Sequence, residues 1–355
     1  MYFKAINKNF WTEKRVLITG HTGFKGSWLS VVLLSLGAKV SGFSLDDEDK
    51  GINLYDSLKI QKDLNHYSGN ICNLKDLEEC IISEKPDFIF HLAAQSIVSK
   101  SYIQPIETWN SNLISFLNVL ESLRFLKNKC SCVMITSDKC YLNKEKKNGY
   151  KENDILGGFD NYSTSKASCE ILFKSYYQSY FKNSRYIRVA SGRAGNVIGG
   201  GDWSKDRLIP DIIRSIKSKK VLLIRNPNAT RPWQHVLEPL SGYIQLAIYL
   251  INNKKINGES FNFGPYLARN YSVRKILDIF SKKFASFKWK KSHFQSFKES
   301  ALLNLNCKKA LKLIKWKSKL SFVETINKTV YWYKKNNQVN SRLITNKQIK
   351  DYFNE

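Results

Sequence analysis

The chain has 355 residues, 43% of them hydrophobic, with 57 Lys+Arg against 30 Asp+Glu and a formal net charge of +27. That length buries a sizeable core in one large or two medium domains, which excludes a disordered chain, and no run of about twenty apolar residues offers a membrane span. The charge suits an anionic partner such as a phosphorylated small molecule. The excess is spread out, however, and even its densest zone, twelve lysines against the single acid Glu299 over residues 281–320, reads as solvated faces rather than a nucleic-acid surface.

The predicted elements begin with residues 15–28, RVLITGHTGFKGSW. Val16, Leu17 and Ile18 are too few and too β-branched for a helix and stop at Thr19-Gly20, so they predict a buried strand. Gly20, Gly23 and Gly26 follow at three-residue spacing. Such a loop needs one glycine for its turn, one where the backbone approaches a pyrophosphate, and one where the following helix packs closely. The free N–H groups at the helix start would hold the anion. Glycine alone is common in turns for steric reasons, so the context carries the inference: a strand before, an amphipathic helix after (Trp28, Leu29, Val31, Val32, Leu33, Leu36), then Gly37 and a second strand over 40–45. The ribose-binding acid expected at that strand's end falls at Ser44, with Asp46, Asp47 and Glu48 just beyond. Those carboxylates would repel a 2′-phosphate, which favours NAD over NADP.

A third strand is predicted over 66–71, a helix over 74–82, and a buried strand over 87–94 whose small end, Ala93-Ala94, lets a cofactor lie close. Long helices over 106–125 and 163–180 flank a strand over 131–136. Strands and helices alternating in this way predict an α/β fold with a Rossmann-like, doubly wound parallel sheet. Ligands of such sheets lie beyond the carboxyl ends of the strands, which lines up Gly20 to Gly26, Leu92 to Ser96 and Ser137 to Tyr141. From Ser191 the texture changes to SGRAGNVIGGGDW, glycine-rich and without periodicity, and is read as a functional loop opening a substrate-binding portion. Helix over 208–217, strand over 221–224, helix over 239–251 and a helical tail from Val273 ending at 323–333 follow. The expected division is a cofactor-binding domain over 1–190, to which 236–265 returns, and a smaller mixed α/β domain over 191–235 and 266–355.

Tyr162 and Lys166 stand at i and i+4 on one helix face. A phenol with an ordinary pKa of ~10 is a poor base at neutral pH, so a nearby cation is what such chemistry needs. Ser137, Asp138 and Lys139 close the preceding strand and offer a hydrogen-bond donor, a proton donor and an amine base. Cys72, Cys80, Cys130, Cys132, Cys140, Cys169 and Cys307 are scattered, without paired CxxC motifs. They fit reduced thiols of a cytoplasmic protein and suggest no metal site. The first fifteen residues lack the apolar core of a secretory signal.

TGHTGFKGSWL, HLAAQS, TSDKCY, YSTSK, AGNVIGGGDW and RLIPD, in this order, resemble the extended short-chain dehydrogenase/reductase family, and within it the CDP-glucose 4,6-dehydratases. The likeness runs from about residue 10 to 333. The resemblance implies NAD bound by Gly20, Thr22, Gly23, Phe24, Lys25, Gly26, Ser44, Asn70, Ile71, Leu92, Ala93, Ala94, Tyr162 and Lys166. It implies a nucleotide-sugar substrate, CDP-glucose, met by Gln95, Ser96, Asn196, Arg207 and Arg231. Tyr162 would take the 4-hydroxyl proton as hydride leaves C4, with Lys166 lowering its pKa and Ser137 bonded to the 4-oxygen. Asp138 would protonate the departing 6-hydroxyl, Lys139 would take the C5 proton, and hydride would return to C6. Lysine at 139 marks the CDP-glucose type, since the dTDP-glucose and GDP-mannose relatives place glutamate there. Ser44 and Asn70 depart from the acids usual in the family. A homodimer or homotetramer is a further expectation, with no membrane or nucleic-acid partner. An epimerase, another nucleotide-sugar dehydratase and a non-catalytic nucleotide binder are the rival readings.

Overall fold

A computed structural model describes residues 8–46, 51–265, 270–292, 302–336 and 338–354. Asp47, Glu48 and Glu299 lie outside the described residues. The strands are β1 Arg15–Thr19, β2 Lys39–Ser44, β3 Asn65–Ser68, β4 Phe88–His91, β5 Cys130–Ile135, β6 Ile187–Ala194, β7 Val197–Ile198, β8 Leu222–Ile224, β9 Thr230–Arg231, β10 Gln234–His235, β11 Ser260–Phe263, β12 Tyr271–Ser272 and β13 Trp289–Lys291. Seven form the central sheet in the order β11-β6-β5-β4-β1-β2-β3. Every pairing in it is parallel, with Thr19 beside both Phe43 and His91, and Ile135 beside Gly192. The sheet is the Rossmann-like α/β architecture the alternation predicts. Its direction of growth reverses at β1, so the tips of β1 and β4 border the crevice where doubly wound sheets bind ligands.

Period-two alternation sorts the sheet's apolar residues into two layers. Val16, Ile18, Phe88, Phe90, Val133 and Ile135 face one core with the helices Phe24–Ser35 and Leu237–Asn252. Leu17, Ile89, Cys132, Met134 and Val189 face the other, against the helices Leu74–Glu84, Ser115–Arg124 and Asn161–Tyr176. Among the described residues no helix is long and apolar enough to cross a membrane.

Four expectations need correction. The helix Phe24–Ser35 is buried from Gly26 through Leu33 rather than amphipathic, because the helices Leu54–Leu58, Leu237–Asn252 and Ser341–Asn354 pack on it. Residues 191–194, read as the start of a loop, are the buried end of β6, so the central sheet extends past residue 190. Their polar and glycine composition hides the strand: Gly192 lies where a Cβ would sit 3.0 Å from the Tyr243 ring. The helix Ser341–Asn354 was not expected at all. Its polar sequence masks three core anchors, Ile344, Ile349 and Tyr352. The long helix predicted over 106–125 holds one wide turn, Asn110–Ile114, between Pro105–Trp109 and Ser115–Arg124.

Candidate active site

The glycine loop makes the tight turn its spacing calls for. Gly20 has φ +74°, and a Cβ there would lie 2.7 Å from the Ala93 nitrogen, so β1 and β4 approach too closely for any side chain. Gly26 sits where a Cβ would fall 2.1 Å from the Gly20 oxygen, closing the first helical turn onto the loop. Gly23 caps the helix Phe24–Ser35 with no side-chain cap bond and is itself exposed. The first N–H groups of that helix therefore face a cradle suited to a pyrophosphate, and these residues fit NAD. Thr22 and Ser44 share a 2.7 Å hydrogen bond that ties the loop to the end of β2. Asp46, beyond Ser44, meets His66 Nε2 at 2.9 Å. Leu92 and Ala93 are half-buried and Ala94 exposed at the tip of β4. Asn70 is exposed and its side chain accepts from the Cys72 N–H, while the Ile71 carbonyl accepts from Asn118 Nδ2.

At the tip of β5, Ser137 opens the short turn Asp138–Cys140. Ser137 Oγ donates to Asp138 Oδ1 at 3.0 Å and accepts from the Lys139 N–H at 3.3 Å. Asp138 is 1% exposed; Lys139 is half-buried. Asp160 caps the helix Asn161–Tyr176, which presents Tyr162 and Lys166, both buried, on one face. Burial pushes the Tyr162 phenol up to about 12; a hydrogen bond with Ser137 pulls the other way, and the Asp138 charge adds to the rise. Of the neighbouring charges, Arg207 also pulls the phenol down, but desolvation outweighs it. Burial likewise lowers the Lys166 ammonium. Tyr162, Ser137 and Asp138 thus lie within mutual reach, and the structure brings the acid–amine turn to the phenol.

The outer residues divide. Asn196, at φ +52°, donates to Asp138 Oδ2 at 3.3 Å. Arg207 reaches Asp202 at 3.0 Å and Ser96 Oγ at 2.6 Å, which joins two of the residues expected to meet substrate. Lys25 extends from the glycine loop into the same cleft. Burial first, then the charges of Arg207 and Lys166, bring it down to about 8 against the pull of Asp138 and Asp202. Arg231 is buried at β9 and donates to the Thr230 carbonyl. Gln95, buried, bonds through its amide to Thr108 Oγ1, to the Ile97 carbonyl and to the Ile97 N–H, and so shapes its own loop. Among the described residues no group of three or more His, Cys, Asp or Glu could hold a metal.

Two features beside the site escaped the sequence. Asn112, in the wide turn, donates to Ser165 Oγ at 2.9 Å and anchors the Tyr162–Lys166 helix. Glu170 and Arg193 form a buried ion pair at 2.6 Å behind the β5 turn. The spacing of Glu170 after Tyr162 and Lys166 was the one available signal.

The sequence profile of the GDP-mannose 4,6-dehydratase family matches residues 17–329. The chain belongs to this family. The family comprises NAD-dependent nucleotide-sugar 4,6-dehydratases, which are hydro-lyases, as the motifs implied. The dehydratase is 41% identical over 353 residues to CDP-glucose 4,6-dehydratase of Salmonella typhimurium, covering 98% of both chains. It is 24% identical to CDP-paratose 2-epimerase of Salmonella typhi, over 90% of this chain and 98% of that protein. Its fold matches an epimerase from Methanothermobacter thermautotrophicus, with TM-score 0.83, 21% identity and coverage of 97% and 98%. It also matches dTDP-glucose 4,6-dehydratase of Bacillus anthracis in complex with NAD, with TM-score 0.73, 22% identity and coverage of 92% and 98%.

Proposed function

We propose that this dehydratase acts on CDP-glucose, eliminating water across C5 and C6 to give CDP-4-keto-6-deoxyglucose. The observation that carries the reading is the Ser137-Asp138-Lys139 turn facing Tyr162, in a chain 41% identical end to end to a CDP-glucose 4,6-dehydratase. NAD, when bound, would accept the hydride from C4, which makes the C5–H acidic, and would return it to C6 after water has left, so that C4 stays a ketone. Tyr162 takes the 4-hydroxyl proton, Ser137 holds the 4-oxygen, and Lys166 orients the nicotinamide ribose. Lys139 removes the C5 proton as Asp138 protonates the departing 6-hydroxyl. Arg207 and Arg231 suit the diphosphate, since guanidinium forks match phosphate oxygens. Residues 191–235 and 266–355 would contribute most of the substrate side, with β6 and β11 left to the cofactor sheet.

Three neighbouring helices leave apolar side chains in solvent: Ile103 on Val98–Ile103 and Ile106 on Pro105–Trp109, each 76% exposed, and Ile171 on Asn161–Tyr176, 61% exposed. That face supports a homodimer, checked by sedimentation equilibrium. A cytoplasmic enzyme early in deoxysugar synthesis for surface polysaccharide such as O-antigen is the setting we infer. The direct test incubates purified protein with CDP-, dTDP-, UDP- and GDP-sugars and follows alkali-induced absorbance of a 4-keto product. No product from CDP-glucose would remove the assignment.

A further inference from the structure

Tyr162, Lys166 and Glu170 follow one another at four-residue steps, so all three share one face of the helix Asn161–Tyr176. Its carboxylate is fully buried. It accepts from Thr136 Oγ1 at 2.5 Å, Ser191 Oγ at 2.9 Å and Ser260 Oγ at 3.0 Å, and meets Arg193 Nη2 at 2.6 Å. From its other nitrogen, Nη1, Arg193 donates to the Tyr141 hydroxyl at 2.8 Å and to the Glu152 carbonyl at 2.9 Å. The Tyr141 hydroxyl donates onward to Asn262 Oδ1 at 2.7 Å.

Thr136 immediately precedes the turn that carries Ser137, Asp138 and Lys139, and Tyr141 immediately follows it. One buried ion pair therefore grips both ends of the acid–amine turn and fastens it to the helix bearing the phenol. Within itself the turn is held by Ser137 Oγ on Asp138 Oδ1 at 3.0 Å, the Cys140 N–H on the Ser137 carbonyl at 3.2 Å and the Lys139 N–H on Ser137 Oγ at 3.3 Å, and its ends also by the Thr136 N–H on the Gly192 carbonyl and the Gly157 N–H on the Cys140 carbonyl, each at 2.9 Å. The phenol helix has its own anchors, the Asp160 cap and Asn112. Burial pushes the Glu170 carboxyl up, but the Arg193 charge and the hydrogen bonds from Arg193, Thr136 and Ser191 hold it below its ordinary value, so the pair is charged. A buried ion pair is a poor device for stability, because apolar side chains of like volume do as well or better.

We propose that Glu170 and Arg193 are positioning residues that set Asp138 and Lys139 against Tyr162, and so control the elimination half of the reaction more than the oxidation at C4. The inference rests on the function proposed above.

The test uses the full chain carrying Glu170→Gln together with Arg193→Met, which removes both charges without stranding either one. The double variant should melt close to wild type. In the cofactor-free protein the amides of residues 138–142 should exchange faster by about tenfold, those of the helix Asn161–Tyr176 unchanged. With CDP-glucose, oxidation read by nicotinamide absorbance in a single turnover should persist while 4-keto product release slows by about 100-fold, the cost of an ångström-scale misplacement. Equal loss of both signals, or turn amides that exchange as in wild type, would overturn the assignment. Each single variant, which leaves one charge buried and unpaired, should melt lower than the double; a double that melts below both singles also overturns it. If wild type makes no keto sugar from any nucleotide sugar, the proposed function fails, while amide exchange still decides whether the pair holds the turn.

Discussion

Gly195, just after β6, has the Asp138 carboxylate where its side chain would be. A Cβ there would stand 1.9 Å from Oδ2, 2.0 Å from Cγ and 2.2 Å from Oδ1, whereas ordinary contact begins at 3.4 Å. Gly195→Ala must therefore push the acid back by about 1.5 Å. The carboxylate has no open space to absorb this, being 1% exposed and held by Ser137 and Asn196. A displacement of that order costs a positioned catalytic group about 100-fold, or about 2.7 kcal/mol of barrier. The expectation is a kcat for CDP-glucose lowered about 100-fold by the alkali-absorbance assay, with KM little changed because Arg207 and Arg231 are untouched. Gly264→Ala is the control: its Cβ would meet Leu305 and Cys307 at 3.4 to 3.6 Å, ordinary contact, so turnover should match wild type. If Gly195→Ala is folded and turns over within about threefold of wild type, Asp138 is not the acid, or this contact does not place it.

Lys139→Met should still oxidise substrate at C4 but stall before water leaves; unchanged turnover would put the C5 base elsewhere. Glu238, buried beneath the Tyr352 hydroxyl and the Lys319 and Leu320 N–H groups, is pushed by burial to about 7 from 4.5. A carboxyl raised on folding contributes stability below its unfolded value and loses it as pH rises through about 7, so wild type should lose about 2.5 kcal/mol relative to Glu238→Gln between about pH 5 and 8 in urea unfolding. A flat difference across that window would show that Glu238 ionises normally. His91, bonded to Thr19 Oγ1, and His235 are each lowered to about 3 by burial. Groups depressed on folding stabilise above their unfolded value, so acid below about pH 6.5 should weaken the fold by about 2.7 kcal/mol per pH unit from the pair, and His235→Gln should halve that share. A His235→Gln slope equal to wild type would sink that reading.

Where local chemistry and fold agree, the sequence was readable. The β1 loop demands glycine at 20 and 26 for two different steric reasons, and a strand before it with a helix after it leave few alternatives. Tyr162 and Lys166 fall on one helix face by spacing alone, and Ser137-Asp138-Lys139 is contiguous at a strand end. β6 was misread because Ser191, Gly192 and Arg193 satisfy a buried polar network and a close ring contact instead of an apolar pattern. The last helix was missed because its core anchors are separated by Thr345 and Gln348, which serve Trp332 Nε1 and the Lys328 carbonyl. Gln95, expected at the substrate from the resemblance, has both amide N–H groups bonded within and beside its own loop, a pairing that the motif does not reveal.

The groups that do chemistry and the groups that place them therefore differ in how they are encoded. A reacting side chain must sit at a strand tip or on one helix face, and such places leave short, contiguous signatures. Placement comes from whatever the fold brings alongside. Gly195 is 57 residues from Asp138, and Glu170 and Arg193 reach the turn from a helix and a strand that diverge in sequence before meeting behind it. An arginine in a glycine-rich run, or a glutamate midway along a helix, reads as a surface residue until the sheet order puts β5, β6 and β11 side by side. Once they are adjacent, the desolvation of both ions ties them to each other, to the surrounding hydroxyls and to the Glu152 carbonyl. Their hydrogen bonds then become the geometry of the turn.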